Sequence, residues 1–104
     1  MTAYQILYWH TIPLQIRAGG RRDRVSVELP PRFQEGVDSA AMAAGVTGTD
    51  GYLAGFVWGE PQERDGSPAE VAAAVAAELD AAHPVIDGRA VAAAIRQKRE
   101  TETT

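Results

Sequence analysis

Leu14-Gln15-Ile16-Arg17-Ala18-Gly19-Gly20-Arg21-Arg22-Asp23-Arg24-Val25-Ser26-Val27-Glu28-Leu29 alternates apolar and polar side chains on both sides of a glycine pair. Successive side chains of a strand point to opposite faces, so each arm reads as a strand with one apolar face. Gly19-Gly20 supplies the positive φ angles of a tight reversal, and the two arms make a hairpin. Upstream, Tyr4-Gln5-Ile6-Leu7-Tyr8-Trp9 is rich in aromatic and aliphatic residues without glycine or proline, and predicts a first strand. Tyr4, Ile6 and Tyr8 fall on one of its faces and Leu7 and Trp9 on the other. A strand apolar on both faces belongs in a central or covered position. Together the three strands predict an antiparallel meander, with the polar faces of the hairpin beside Leu7 and Trp9.

Pro30-Pro31 ends the sheet, and proline suits the first turn of a helix, where its missing N–H would have no partner. Phe33, Val37, Ala40, Ala41 and Ala44 share one helical face, and Gly45 is a natural C-terminal cap. A short helix follows, capped by Thr47 or Thr49, with Tyr52, Leu53, Phe56 and Val57 as its apolar side. Residues 58–66 read as a polar loop, with a short edge strand over Val57–Glu60 as the alternative. Ser67-Pro68-Ala69-Glu70 is a capping box and opens a long helix with Val71, Val75 and Leu79 in its buried stripe; His83-Pro84 ends it. Asp87 caps a last helix, with Ile86 and Val91 placed as a hydrophobic staple. The fold class is therefore α+β: a three-stranded antiparallel sheet with three to four helices. Residues 1–99 form one small domain and 100–104 a frayed tail.

Of the 104 residues 45% are hydrophobic, the balance of an ordinary globular domain, but 19 are alanines, so much of the core is built from small side chains. The net charge of −4 is unevenly spread. Residues 1–32 hold five arginines against two acidic groups, and residues 33–87 hold ten acidic groups against Arg64. An acidic pI near 5.0 argues against nucleic acid or an anionic membrane as the main partner. Without cysteine, and with His10 and His83 as the two histidines, no thiolate chemistry, structural metal or cofactor is expected. The N-terminus has no secretory pattern and no apolar run is long enough to span a membrane, which predicts a cytoplasmic protein.

Three readings of function remain. Met42 lies about 180° around its helix from Phe33, off the buried stripe. With Leu7, Trp9 and Trp58 it makes a candidate partner-binding surface rimmed by arginines, the composition favoured at interfaces. If the segment from Tyr52 to Trp58 packs over the Leu7 and Trp9 face, that surface becomes internal. The second reading is an anion or nucleotide-phosphate site built on Arg17, Arg21, Arg22 and Arg24, whose bland counterpart is a solvated hairpin tip. The third makes His10 or Asp38 a general base in a cleft lined by Tyr8, Trp9 and Tyr52, against the plainer reading of His10 as a loop residue. His83 reads as a helix-end residue meeting the last carbonyls. No nucleophile elbow, phosphate loop or dinucleotide fingerprint is present, so no catalytic residue is assigned. Glu60, Glu63 and Asp65 lack the regular ligand register of a calcium loop.

Several segments in order carry a family resemblance: Tyr4–Trp9, Ile12–Ile16, Leu29–Glu35, Val37–Met42 and Thr49–Leu53. Over about residues 3 to 60 the chain resembles the small bacterial domain family labelled virulence factor, a domain also found in the protein called conserved virulence factor C. The resemblance implies a short bacterial accessory domain without carried-over catalytic residues. It also implies a setting near one-carbon and corrinoid methyl-transfer enzymes or iron-sulfur assembly. Lacking cysteine, the chain would serve there as a helper and not as a ligand provider. The leading expectation is a non-enzymatic adaptor that docks on a larger enzyme.

Overall fold

β1 (Thr2–Trp9) is the strand around which the molecule is built, because both of its edges are paired in the computed structural model. On one side it pairs antiparallel with β2 (Ile12–Ala18), which pairs in turn with β3 (Val25–Glu28). On the other side two short strands lie end to end along it. β4 (Phe56–Trp58) pairs with Leu7–Trp9, and β5 (Gln62–Arg64) with Thr2–Tyr4. The structure describes the backbone of residues 1–46 and 48–103, and their side chains except those of Thr49 and residues 99–103.

The antiparallel pairing of the hairpin arms and the central place of β1 are as the sequence predicts, but the reversal is not a tight one on the glycine pair: residues 19–24 connect the arms, and Gly19, at φ 92°, has a positive φ while Gly20 does not. Residues 58–66 are likewise not one loop. The edge strand on this side centres on Val57, and a second one follows at Gln62–Arg64. β5 has no apolar residue, so periodicity cannot reveal it. Its backbone pairing with β1 holds it, helped by the Tyr4 hydroxyl donating to Gln62 Oε1 at 2.9 Å and the Thr2 hydroxyl donating to the Gly66 carbonyl. Arg64 also pairs with Glu78 on the following helix, which raises the guanidinium pKa and lowers that of the carboxylate.

α1 (Pro31–Ala44) buries Phe33, Val37, Ala40, Ala41 and Ala44, the predicted stripe, and Gly45 closes it in the left-handed conformation at φ 72°. Gly36 is buried within the same stripe because Ile86 crosses α1 there; a Cβ would stand 2.2 Å from Ile86 Cγ2. α2 (Thr49–Leu53) takes Gly48 as its N-cap and begins at Thr49, so Thr49 is not the cap; Thr47 lies outside the described residues. α3 (Pro68–Ala82) has the full capping box: Glu70 N–H donates to Ser67 Oγ and Ser67 N–H to the Glu70 carboxylate, which holds that group below its ordinary pKa. At its other end His83 Nδ1 lies 2.9 Å from the Leu79 carbonyl, the predicted helix-end role. Arg32 on α1 donates to the carbonyls of Asp80 and His83 and pairs with the Asp80 carboxylate, clamping α3's C-terminus to α1. α4 (Gly88–Thr103) starts with Ala90 N–H donating to Asp87 Oδ1 at 3.1 Å, as the sequence predicts. Its backbone stays helical through Thr103, into the stretch read above as a frayed tail.

α3 packs on the sheet face that carries Ile6, Ile16 and Ala18, and α4 packs on α1 through Ala92 and Ile95. One core cluster joins these layers. The opposite face of the sheet, with Gln5, Leu7, Gln15, Arg17, Ser26 and Glu28, is half-buried to exposed.

Candidate docking surface on the open sheet face

Trp9 does not belong to a partner surface. Alternation places it on the Leu7 side of β1, and the unbroken β1–β4 register, Leu7 opposite Trp58 and Trp9 opposite Phe56, keeps it there, but at this end of the strand the chain covers that side. Its side chain is 0% exposed and shares the core cluster with Ile12, Phe33 and Val37. The segment from Tyr52 to Gly55 closes over it. The indole N–H donates to the Tyr52 carbonyl at 2.9 Å, the Tyr52 ring lies 6.0 Å away, and Gly55 packs on the indole so closely that a Cβ would meet Nε1 at 2.5 Å. Of the two outcomes open for that segment, the covering one holds for Trp9.

Leu7 and Trp58 stay on the open face and are opposite each other in the β1–β4 register. Arg17, two strands from Trp58, lays its guanidinium 3.8 Å from the centre of the Trp58 ring. Arg17 Nε and Nη2 both donate to Gln5 Oε1, at 3.2 and 2.8 Å, and Gln5 Nε2 donates to the Gly59 carbonyl at 3.1 Å. This chain of contacts crosses three strands and fixes a cation over an aromatic face, an arrangement worth about 0.5–1 kcal/mol where water has access. Met42 lies elsewhere, on the outward side of α1, 72% exposed. The structure therefore divides the predicted set: Leu7 and Trp58 together, Met42 apart, Trp9 inside.

The four arginines are divided as well. Arg17 and Arg24 line one small crevice of about 50 Å3 with Tyr4 and Pro61. Arg21 and Arg22 are exposed residues of the turn, where Asp23 bends back to accept from Gly20 N–H at 2.7 Å. The Arg17 head group is bonded to a neutral amide oxygen and stacked on an indole, which leaves its charge uncompensated by any carboxylate among the described residues.

Next to this ladder the open face sinks into a groove of about 550 Å3 between the sheet and the start of α1. Leu7, Leu14, Leu29, Phe33 and Phe56 form its apolar floor, and Gln15, Glu28 and Gln34 its polar rim. Gln34 is held in place by donating to Asp38 Oδ1 at 3.0 Å and to the Tyr52 hydroxyl at 3.2 Å. Periodicity missed the groove because its floor is assembled from five segments. The signal that points to it is the Leu29-Pro30-Pro31 run, which starts α1 directly beside the end of β3.

The candidate general bases have separate surroundings: Asp38 accepts from Gln34, while His10 turns toward Trp9 and α4. Among the described residues no three His, Asp or Glu side chains cluster as metal ligands, and no helix is long and apolar enough to cross a membrane. No curated protein and no solved structure matches the chain. A family model described as virulence factor matches residues 7–87, from the second half of β1 through the cap of α4, and so reaches well past the motifs legible in the sequence. The protein belongs to the virulence factor family.

Proposed function

We propose that this protein is a non-catalytic accessory subunit whose open sheet face docks on an extended, mainly apolar segment of a larger bacterial enzyme, with a carboxylate of that segment meeting Arg17. The observation that carries this reading is the groove over Leu7, Leu14, Leu29, Phe33 and Phe56, with the Arg17 cation fixed on Trp58 beside it. An apolar centre with a polar, arginine-bearing rim is the anatomy of a protein interface. Charge complementarity selects the partner's chemistry, because Arg17 and Arg24 bring two cations to one end of the face. Enzymes of one-carbon methyl transfer and proteins of iron-sulfur assembly are the first partners to try, as the family resemblance suggests.

The test has two stages. The tagged protein is used to capture partners from lysate of its own bacterium at low and high salt, and the captured enzyme is then purified and its Kd measured by calorimetry. Binding that rests on the groove survives high salt, weakens at least about tenfold in Leu7→Gln and Trp58→Ala, and is unchanged in Met42→Ala. Capture of salt-labile nucleotides alone would replace this reading with an anion site on the hairpin arginines.

A further inference from the structure

A second hollow lies at the far end of β1, and it shares no lining residue with the groove. Two adjoining cavities, of about 320 and 250 Å3, both border His10, Ile95 and Lys98. Val46 and Ala54 wall the first, and Val91 and Ala94 the second. The described lining is thus aliphatic apart from an imidazole, an ammonium and the Thr11 hydroxyl, with no carboxylate. A largely apolar pocket with a few convergent polar groups is the usual form of a small-molecule site.

His10 is placed there by the turn between β1 and β2. Its φ of 53° is the one positive value among the described non-glycine residues. The two-residue turn between β1 and β2 imposes it, and histidine, with asparagine and aspartate, is among the non-glycine residues that adopt it most readily. The backbone is anchored by His10 N–H donating to the Gly55 carbonyl at 3.0 Å, and the ring stands edge-on to the buried Trp9 at 4.5 Å. Burial, and then the charge of Lys98, lower the imidazole pKa, so the two nitrogen groups share an electropositive space that an anion would relieve.

We propose that this hollow binds a small amphipathic monocarboxylate, with the carboxylate between Lys98 and His10 and the short hydrocarbon tail along Ile95, Val91 and Val46. Oxygen acceptors suit a protonated amine and an imidazole N–H, and the aliphatic walls reward a tail that leaves water. The site is independent of the docking face, so either can fail without the other.

The test is an NMR titration of the full-length protein with hexanoate, and in parallel with 1-hexanol. The expected result is saturable shifts of the Ile95, Val91 and Val46 methyls and of the His10 imidazole with hexanoate alone. His10→Gly, a residue the turn favours, and Lys98→Met each weaken hexanoate binding about tenfold while the spectrum stays folded. Absence of saturation, equal binding of the alcohol, or full affinity in both variants would overturn the proposal.

Discussion

Trp9 and Trp58 lie on paired strands two residues out of register, and their fates are opposite. Trp9 is sealed in the core, its N–H spent on a carbonyl and its face covered by a residue without a side chain. Trp58 lies on the open face with an arginine across its ring. The difference comes from the chain that follows. The α2–β4 connection folds back over Trp9, whereas Gly59-Glu60-Pro61 leads away from Trp58 into β5. The same aromatic residue thus serves stability at one end of the strand pair and leaves a surface for recognition at the other.

The largest expected effect breaks the sealed end. Trp9→Ala removes a fully buried indole and one of the two N–H donors to the Tyr52 carbonyl, which keeps that of Gly55, and urea denaturation is expected to show a loss of about 3–5 kcal/mol. Gly55→Ala attacks the same contact from the other side. Its methyl has no room against the indole, and a loss of about 1–3 kcal/mol with an altered tryptophan emission is expected. Arg32→Ala leaves the tryptophans alone and releases α3's last turn, at about 1–2 kcal/mol by the same assay. Trp58→Ala costs less than any of these, about 1 kcal/mol or under, because its ring is partly solvated and its stacking partner is a hydrated cation. The comparison fails if Trp58→Ala destabilises as much as Trp9→Ala.

The smallest effect is in pH. The His10 pKa is lowered in the folded chain, so the unfolded chain takes up that proton first as the solution is acidified. The stability His10 contributes is complete above the ordinary histidine pKa of 6.5 and is lost as pH falls through the lower folded value. Thermal melts of His10→Gly are expected to show a shallower decline in Tm below about pH 6.5 than those of the wild type.

The helices were legible because their signals are local. The Ser67 to Glu70 capping box needs four consecutive residues, and the α1 stripe needs regular spacing. The meander was legible from alternation, while its turn proved longer than the tight reversal read from the glycine pair. β5 was not, since Gln62-Glu63-Arg64 is held by backbone pairing without an apolar side chain. The site was half legible. Leu7, Trp9 and Trp58 could be placed on a second sheet face, but alternation does not state that the segment from Tyr52 to Gly55 covers that face at Trp9 and leaves it open at Leu7 and Trp58. Met42 was read correctly as lying off the α1 stripe, yet no helical wheel states that its side of the helix is remote from the sheet. The groove depends on where β3, α1 and β4 converge, which is tertiary information.

The central claim is that recognition belongs to the open face, and one paired measurement addresses it: Kd values of the captured enzyme for wild type, Leu7→Gln and Met42→Gln. A half-exposed leucine among glutamines accepts the amide without disturbing the sheet, so all three proteins are expected to fold alike. The account expects Leu7→Gln to weaken binding at least about tenfold and Met42→Gln to leave it unchanged. Unchanged affinity in Leu7→Gln, with the loss falling on Met42→Gln, would contradict it and move the interface to the outer side of α1.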